Sequence, residues 1–269
     1  MPFLFPLSLA IWLVPSIAFC ICWLVLAMLM QRAGRLPMDH PNARSLHVTP
    51  TPRVGGIGII VGVLIAAILT QPSALWPIVL GALALAGISL LDDYRNLPVS
   101  WRLLAHVAVA TGCLLMLPGL RGGSLVLAIL VIVWMANLYN FMDGADGLAG
   151  GMAVIGFGAL VVAAGWAGAP QLALFCAAIA AAALAFLRFN FPPAQLFMGD
   201  AGSVPLGFLA AALAVYGVLQ NTWPVLFPVM VFSPFILDAS VTLIKRGLRG
   251  EKIWRAHRGD RCVHDPRAG

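Results

Sequence analysis

Long uncharged apolar runs are the feature that most constrains how this chain can fold. Several stretches of roughly 20 residues contain no Asp, Glu, Lys or Arg, and about 20 apolar residues in one helix are needed to cross the hydrocarbon core of a bilayer. Charged residues make up 10% of the 269 residues and hydrophobic residues 61%, whereas soluble domains are about 25% charged. The sequence therefore predicts an all-α fold, a polytopic transmembrane helix bundle.

Polar breaks between the apolar runs divide the chain into about nine predicted spans. The first run lacks a basic flank and is too long for a signal-peptide core, so it is predicted to be a retained helix. Residues 1–244 are assigned to the transmembrane domain and residues 245–269 to a basic cytoplasmic tail. The predicted spans are 3–30, 54–70, 75–91, 102–117, 124–140, 148–165, 171–187, 203–219 and 223–244.

Basic residues are concentrated in alternate connections between these spans. Arg121 is the exception, because it falls on the opposite side. Short loops rich in Lys and Arg usually face the cytoplasm, so this arrangement places the N-terminus outside and explains the net charge of +6 without nucleic-acid binding. The connections on that side are 31–53, 92–101, 141–147, 188–202 and the tail from 245.

Aspartates are grouped on the same predicted side, at the ends of apolar helices. Carboxylates contribute little to orientation, and ionised groups in apolar surroundings are costly and usually functional. Asp92 and Asp93 end the third predicted span, where the helix dipole disfavours negative charge. They are expected to require a cation, such as Mg²⁺ arriving with a phosphate, although a solvated helix end is the alternative.

The segment NLYNFMDGADGLAGG places four oxygen-bearing side chains at steps of three residues: Asn137, Asn140, Asp143 and Asp146. If the fifth helix continues through them, they form one polar stripe. A glycine-rich turn would explain the glycines and one aspartate, but it would not explain two asparagines at the apolar end of a span. The segment is therefore a candidate polar site.

The segment FNFPPAQLFMGDAGS predicts a rigidly presented carboxylate at Asp200, which is flanked by glycines. Pro192 and Pro193 are expected to end the seventh helix, and Ser203 is expected to cap the eighth. Phe197 is suited to stacking on a base; taken alone, it would be read as a membrane-interface aromatic.

Two basic segments are predicted to face the same side. One contains His47 and Arg53, and the other contains His257 and Arg258. Such segments often only anchor a protein to anionic lipids. Combined with the carboxylates, however, they provide what phosphoryl transfer requires, which is metal-holding oxygens and cations that neutralise phosphate charge. The sequence contains no Walker A or protein-kinase signature.

The motifs DDYRNLP, NLYNFMDGADGL and FNFPPAQLFMGDAGS, in that order, resemble those of the polyprenyl-phosphate N-acetylhexosamine-1-phosphate transferases. The motif sequences resemble the bacterial branch that initiates O-antigen and related envelope glycans more closely than they resemble the phospho-MurNAc-pentapeptide transferases. The resemblance implies transfer of a sugar-1-phosphate from a UDP-N-acetylhexosamine (GlcNAc, FucNAc or QuiNAc type) to undecaprenyl phosphate, with release of UMP. It also implies Mg²⁺, or alternatively Mn²⁺, as cofactor, an inner-membrane location with a cytoplasmic active site, and a possible homodimer.

The resemblance also implies a role for each motif residue, and the expected reaction is direct attack of the lipid phosphate on the β-phosphorus. Expected metal ligands are Asp200 and Asn140. Expected catalytic residues are Asp92, Asp93 and Asp143. Expected nucleotide-sugar contacts are Phe197, Asp146, Asn137, His257 and Arg258. Expected lipid-phosphate contacts are Arg102, Arg53 and His47.

The tail departs from the family pattern after AHR, where it reads GDRCVHDPRAG. This segment predicts a truncated or frameshifted tail that lacks the family's final helices. Three alternatives to the predicted activity stay open. They are a phospho-MurNAc-pentapeptide transferase, a secondary transporter, which also uses intramembrane Asp and Asn residues, and an inactive remnant of the transferase.

Overall fold

A computed structural model of the chain describes residues 6–32, 36–39, 50–70, 73–95 and 97–248. The predictions for His47, His257 and Arg258 lie outside the described residues, as do the side chain of Asp93 and the tail beyond residue 248. The first four residues of the predicted tail, 245–248, are helical. The helices are α1 (Leu7–Met30), α2 (Gly55–Thr70), α3 (Trp76–Arg95), α4 (Val99–Leu115), α5 (Gly122–Met142), α6 (Leu148–Trp166), α7 (Pro170–Asn190), α8 (Asp200–Leu219) and α9 (Leu226–Leu248).

The described part of the chain is all-helical, with nine α-helices, and this confirms the predicted class. Six of them, α1, α3, α5, α6, α7 and α8, are long and apolar enough to cross a membrane. The other three are shorter apolar helices: α2, α4 and the Leu226–Asp238 part of α9. Outside the helices, the described residues include a pair of two-residue antiparallel strands, β1 (Met38–Asp39) and β2 (Thr51–Pro52), and an isolated bridge between Arg53 and Phe197.

Helix α8 lies at the centre of the bundle. Every residue from Ala201 to Leu213 is buried, and a helix that is apolar on all sides is stable only when it is surrounded. Large apolar side chains on the periphery, such as Trp12, Trp166 and Met230, are exposed, as expected for residues that face lipid. The polar N-terminus of α8 is thus fixed by close packing of the rest of the helix.

The segment before α2 pairs with the segment before α8. The backbone N–H of Phe197 donates to the carbonyl of Pro52 over 2.8 Å, and the N–H groups of Gly55 and Gly56 donate to the carbonyls of Phe197 and Met198 over 2.9 and 2.8 Å. These bonds satisfy N–H groups in the first turn of α2 that have no partner within their own helix. They also fix the position of the chain just before Asp200.

Helices α2 and α8 touch through glycines. A β-carbon on Gly202 would lie 2.3 Å from the Cα of Gly56, and one on Gly56 would lie 2.2 Å from the Cα of Gly202. Only residues without a side chain permit this approach, because the obstructing atoms are backbone. The contact sets the distance between Arg53, which precedes α2, and Asp200, which begins α8.

The predicted cap of α8 was wrong. Helix α8 begins at Asp200 rather than at Ser203, and its N-cap is Gly199, whose φ of 72° suits glycine. Ser203 lies one turn inside the helix, where its Oγ is 3.1 Å from the carbonyl oxygen of Gly199. The glycine turn starts the helix earlier than the hydroxyl signal suggested, so Asp200 occupies the first turn, where the helix dipole favours a carboxylate.

Candidate active site

Asp200 lies between two arginines that come from distant parts of the sequence. Nη2 of Arg53 is 3.2 Å from Oδ1 of Asp200, and Nη1 of Arg102 is 3.6 Å from Oδ2. The side chain of Asp200 is 15% exposed, against 42% for Arg53 and 35% for Arg102. A carboxylate therefore lies against two partly exposed guanidinium groups, which is a suitable arrangement for binding phosphate and a metal ion.

Asp92 lies in the last turn of α3 and is 8% exposed. Its Oδ1 accepts a hydrogen bond from the backbone N–H of Leu97 over 2.6 Å, and its Oδ2 accepts one from Nη1 of Arg102 over 3.1 Å. Arg102 supplies the cation that the sequence predicts for this helix end. The same guanidinium thus links Asp92 to Asp200.

Helix α5 ends at Met142, so the predicted stripe is helical over Asn137 and Asn140 only, and Asp143 and Asp146 follow the helix. Nδ2 of Asn137 donates to the carbonyl of Val133 over 2.7 Å. Oδ1 of Asn140 accepts a hydrogen bond from the hydroxyl of Ser203 over 2.8 Å. Both asparagines are therefore oriented side chains at one end of α5, beside the start of α8.

One cavity of about 280 Å³ is bordered by Asp200, Arg102, Asp92 and the two asparagines of α5. It lies where α3 ends, α4 begins, α5 ends and α8 begins. Four of the eleven residues that line it are apolar. The cavity is lined by Ile88, Ser89, Asp92, Val99, Arg102, Leu103, His106, Asn137, Asn140, Asp200 and Val204.

Asp143 follows α5 and is buried against the loop that carries Asp200. Its two carboxyl oxygens accept hydrogen bonds from the backbone N–H groups of Met198, over 3.3 Å, and Gly199, over 2.8 Å. Burial raises the pKa of Asp143 to about 7, although the hydrogen bond from Gly199 and the charge of Arg53 oppose that rise. These contacts favour a positioning role in place of the predicted catalytic one, which stays a prediction.

Asp146 lies in the turn between α5 and α6. Its Oδ2 accepts a hydrogen bond from the backbone N–H of Ala194 over 2.9 Å. Its Oδ1 is buried and has no hydrogen-bond partner among the described residues. A buried acceptor without a donor is costly, and a donor from a ligand could reach this oxygen only if the groups that cover it moved.

Phe197 is 2% exposed, so its ring is covered in the structure. It lies beside the segment that precedes α2, with which its backbone is paired. Stacking on a base would require the covering groups to move. The predicted stacking role therefore stays a prediction.

Residues 75–218 match the family model described as "Glycosyl transferase family 4". The match covers more than half of the chain and takes in α3, α4, α5 and α8, the helices that border the cavity. The chain belongs to glycosyl transferase family 4. The family suggested by the sequence motifs is confirmed.

Several family 4 relatives match over most of the chain. A "Probable undecaprenyl-phosphate N-acetylglucosaminyl 1-phosphate transferase" from Bacillus subtilis (strain 168) is 30% identical over 238 residues, which cover 80% of this chain and 66% of the relative. A "Decaprenyl-phosphate N-acetylglucosaminephosphotransferase" from Mycobacterium leprae is 28% identical and is covered over 63% of its length. A "Phospho-N-acetylmuramoyl-pentapeptide-transferase" from Chloroflexus aurantiacus is 31% identical, with 89% of this chain and 73% of the relative covered. The matches thus extend over about two thirds of the relatives' length.

Three polar residues of this family 4 site were missed by sequence reasoning. His106 lines the cavity but lies within an apolar run, and its spacing of four residues from Arg102 was the available signal. Ser203 orients Asn140. Asn190 is 1% exposed and joins two loops, because its Oδ1 accepts from the N–H of Gly147 and its Nδ2 donates to the carbonyl of Leu196, each over 2.9 Å.

The residues of this site fit a magnesium ion. Among the described residues, no three His, Cys, Asp or Glu side chains are grouped closely enough to hold a metal ion by themselves. Asp200 and Asn140, however, border the same cavity and offer oxygen atoms. Mg²⁺ prefers oxygen ligands, needs only one or two carboxylates and takes the remainder from water and substrate phosphates. The two guanidinium groups now beside Asp200 show that this carboxylate attracts positive charge.

Proposed function

We propose that the chain transfers a sugar-1-phosphate from a UDP-N-acetylhexosamine to undecaprenyl phosphate and releases UMP. An oxygen of the lipid phosphate would form a bond to the β-phosphorus, and the bond from that phosphorus to the oxygen bridging to the α-phosphorus would break. The leaving UMP would retain the bridging oxygen. The product would be a lipid-linked sugar pyrophosphate, the starting unit of O-antigen or a related envelope glycan.

The observation that carries this proposal is the position of Asp200 between Arg53 and Arg102. All three groups lie where helix ends meet at one end of the bundle, and both substrates of the proposed reaction are anions. Positioning and charge neutralisation account for most phosphoryl-transfer catalysis. Family membership supports the same chemistry and favours it over the transporter alternative.

Roles for the other residues follow from their contacts. Arg102 would bind a phosphate while it remains in contact with Asp92, and Arg53 would bind a second anion from the opposite side of Asp200. Asp143 would hold the loop of Met198 and Gly199 through their N–H groups. Asp146 would use its unpartnered Oδ1 to accept a hydrogen bond from an N–H of the uracil.

Asp200 and Asn140 would hold the Mg²⁺, which on binding supplies charge neutralisation for the phosphates. In the structure, the amide oxygen of Asn140 lies 2.8 Å from the hydroxyl of Ser203, which holds this side chain beside the start of α8. One lone pair of that oxygen remains for the metal. Asp200 would release part of its contact with the arginines as the metal binds, and the freed guanidinium donors would be available to phosphate oxygens.

The proposed membrane arrangement places this site on the cytoplasmic side of a bacterial inner membrane, with the N-terminus outside. It rests on the bias of Lys and Arg in the connecting segments. The site's residues come from the ends of α3 and α5 and from the starts of α2, α4 and α8. These ends meet at the side of the bundle that the charge bias assigns to the cytoplasm.

The test is release of UMP by the detergent-purified chain supplied with UDP-N-acetylglucosamine, undecaprenyl phosphate and Mg²⁺. We expect release that EDTA abolishes and that Mg²⁺ or Mn²⁺ restores. Asp200→Asn, which preserves the shape of the side chain but removes its charge, should reduce turnover by at least about 100-fold, the range for loss of a charge-stabilising group. Full turnover by Asp200→Asn would contradict the metal assignment.

Phospho-MurNAc-pentapeptide transfer is the second candidate, because a relative of that name has comparable identity. UDP-MurNAc-pentapeptide in the same assay distinguishes the two, since only one donor should give UMP. UDP-N-acetylfucosamine and UDP-N-acetylquinovosamine extend the comparison to other hexosamines. No turnover with any donor would favour an inactive remnant or another function.

A further inference from the structure

His106 is a polar side chain of the cavity that the proposed function does not yet use. It lies in α4, four residues after Arg102, so both side chains project from the same face of the helix. It is 7% exposed and borders the cavity together with Arg102 and Asp200. A buried imidazole requires hydrogen-bond partners, because an unpartnered polar group in apolar surroundings is costly.

Nδ1 of His106 has a hydrogen-bond partner, the side-chain amide of Asn137, and the orientation of that amide is fixed. Nδ2 of Asn137 donates to the carbonyl of Val133 over 2.7 Å, and only the amide nitrogen can donate to a carbonyl, so the orientation of this amide is determined. The same Nδ2 lies 3.3 Å from Nδ1 of His106. Since Nδ2 carries two hydrogens and accepts none, Nδ1 must be the acceptor.

The proton of the neutral ring therefore resides on Nε2. An imidazolium would carry hydrogens on both nitrogens, and Nδ1–H would then face the Nδ2 donor of Asn137. In the described part of the chain, Nε2 has no hydrogen-bond acceptor. The fixed tautomer thus leaves one N–H donor without a protein partner in a cavity that contains Arg102.

We infer that His106 is a neutral hydrogen-bond donor whose Nε2–H binds a phosphate oxygen of a substrate in this cavity, beside Arg102. The inference rests on the proposed function, which supplies the phosphate. The phosphate could belong to undecaprenyl phosphate or to the diphosphate of the UDP-sugar. The chemistry of recognition is the same for both, so the experiment must separate them.

The kinetic test compares His106→Leu with His106→Gln, whose side-chain amide can place a donor near the position of Nε2. KM is measured separately for UDP-N-acetylglucosamine and undecaprenyl phosphate at saturating Mg²⁺. His106→Leu should raise KM for one of the two by about 10-fold, the equivalent of one hydrogen bond to a charged group. His106→Gln should stay within about threefold of the wild type, and the substrate whose KM rises identifies the phosphate.

The thermal unfolding of each variant is also measured in detergent, to establish that the variant is folded. Wild-type KM values in a folded His106→Leu variant would overturn the inference. So would an equal loss in folded His106→Gln and His106→Leu, because it would show that ring packing and not a donor matters.

A second measurement requires neither turnover nor a stable Leu variant. The wild-type protein is labelled with ¹⁵N in its histidine rings, and the His106 signals are assigned by their loss in His106→Gln. We expect the Nε2–H tautomer in the free protein and a shift of the Nε2 resonance on addition of undecaprenyl phosphate or UMP. An Nδ1–H tautomer, an imidazolium, or an Nε2 resonance that neither ligand moves would overturn the inference. Absence of UMP release by the wild type would instead contradict the proposed function.

Discussion

Nη2 of Arg53 lies 3.2 Å from Oδ1 of Asp200, although 147 residues separate the two in the sequence. The contact is fixed by backbone pairing between the segments that precede α2 and α8. It holds a cation against the carboxylate that we propose binds Mg²⁺. Arg102 approaches the other oxygen of Asp200, so the site is organised around one carboxylate.

Arg102→Ala should lower kcat/KM of the proposed transfer by about 10- to 100-fold, which corresponds to one charge-assisted contact. The substitution removes a phosphate-binding cation and also leaves the buried Asp92 without its ion partner. UMP release is the measurement, and Arg121→Ala is the matched control, since Arg121 is predicted on the opposite side of the membrane. Equal activity of the two variants would contradict the role of Arg102.

Gly202→Ala should destabilise the bundle and abolish activity, because the new β-carbon would lie 2.3 Å from the Cα of Gly56. Overpacking of this kind costs about 1–3 kcal/mol, and separating α2 from α8 would move Arg53 away from Asp200. Gly158→Ala is the control, since a β-carbon there has nothing within 4 Å. Thermal unfolding and UMP release are measured for both. A stable, active Gly202→Ala variant would contradict the close helix contact.

The fold and the general location of the site could be predicted from the sequence because both depend on local patterns. Uncharged runs of membrane-spanning length predicted the helices, and Asn137 and Asn140 were expected on one polar stripe because α5 was expected to continue. Helix α5 does include both asparagines, but it ends at Met142, before Asp143 and Asp146. The start of α8 was predicted at the wrong residue, because the hydroxyl of Ser203 gives the same local signal as an N-cap.

The contacts within the site could not be predicted, because they depend on which helix ends meet. Nothing near Arg53 in the sequence indicates Asp200 as its partner. His106 lies in an apolar run, where a lone histidine is indistinguishable from a packing residue. Asp143 has the spacing of a site residue, yet its described contacts are with backbone N–H groups, and sequence spacing does not reveal which way a carboxylate turns.

Asp143 should make the stability of the protein depend on pH. Its pKa in the folded chain is about 7, raised from 3.8 by burial, so the folded state favours the neutral carboxyl. The contribution to stability is complete below the unfolded value of 3.8 and is lost as the pH rises through about 7. The unfolding temperature of the metal-free protein should therefore fall between about pH 4 and 7 and level off above that. Asp143→Asn should show a smaller fall, and equal slopes would contradict the shifted pKa.

Asp146→Asn should weaken binding of the nucleotide and leave binding of the lipid phosphate unchanged. The buried Oδ1 of Asp146 has no donor among the described residues, and the proposed uracil N–H would supply one. An amide can place an NH₂ group there, and two donors would then face each other at an estimated cost of about 1–3 kcal/mol. We expect KM for the UDP-sugar and Kd for UMP, measured by calorimetry, to rise at least about fivefold, while KM for undecaprenyl phosphate stays constant. An equal rise for both substrates would instead indicate that the loop of Ala194, which Asp146 holds through the backbone N–H, had moved, and the uracil contact would then be wrong.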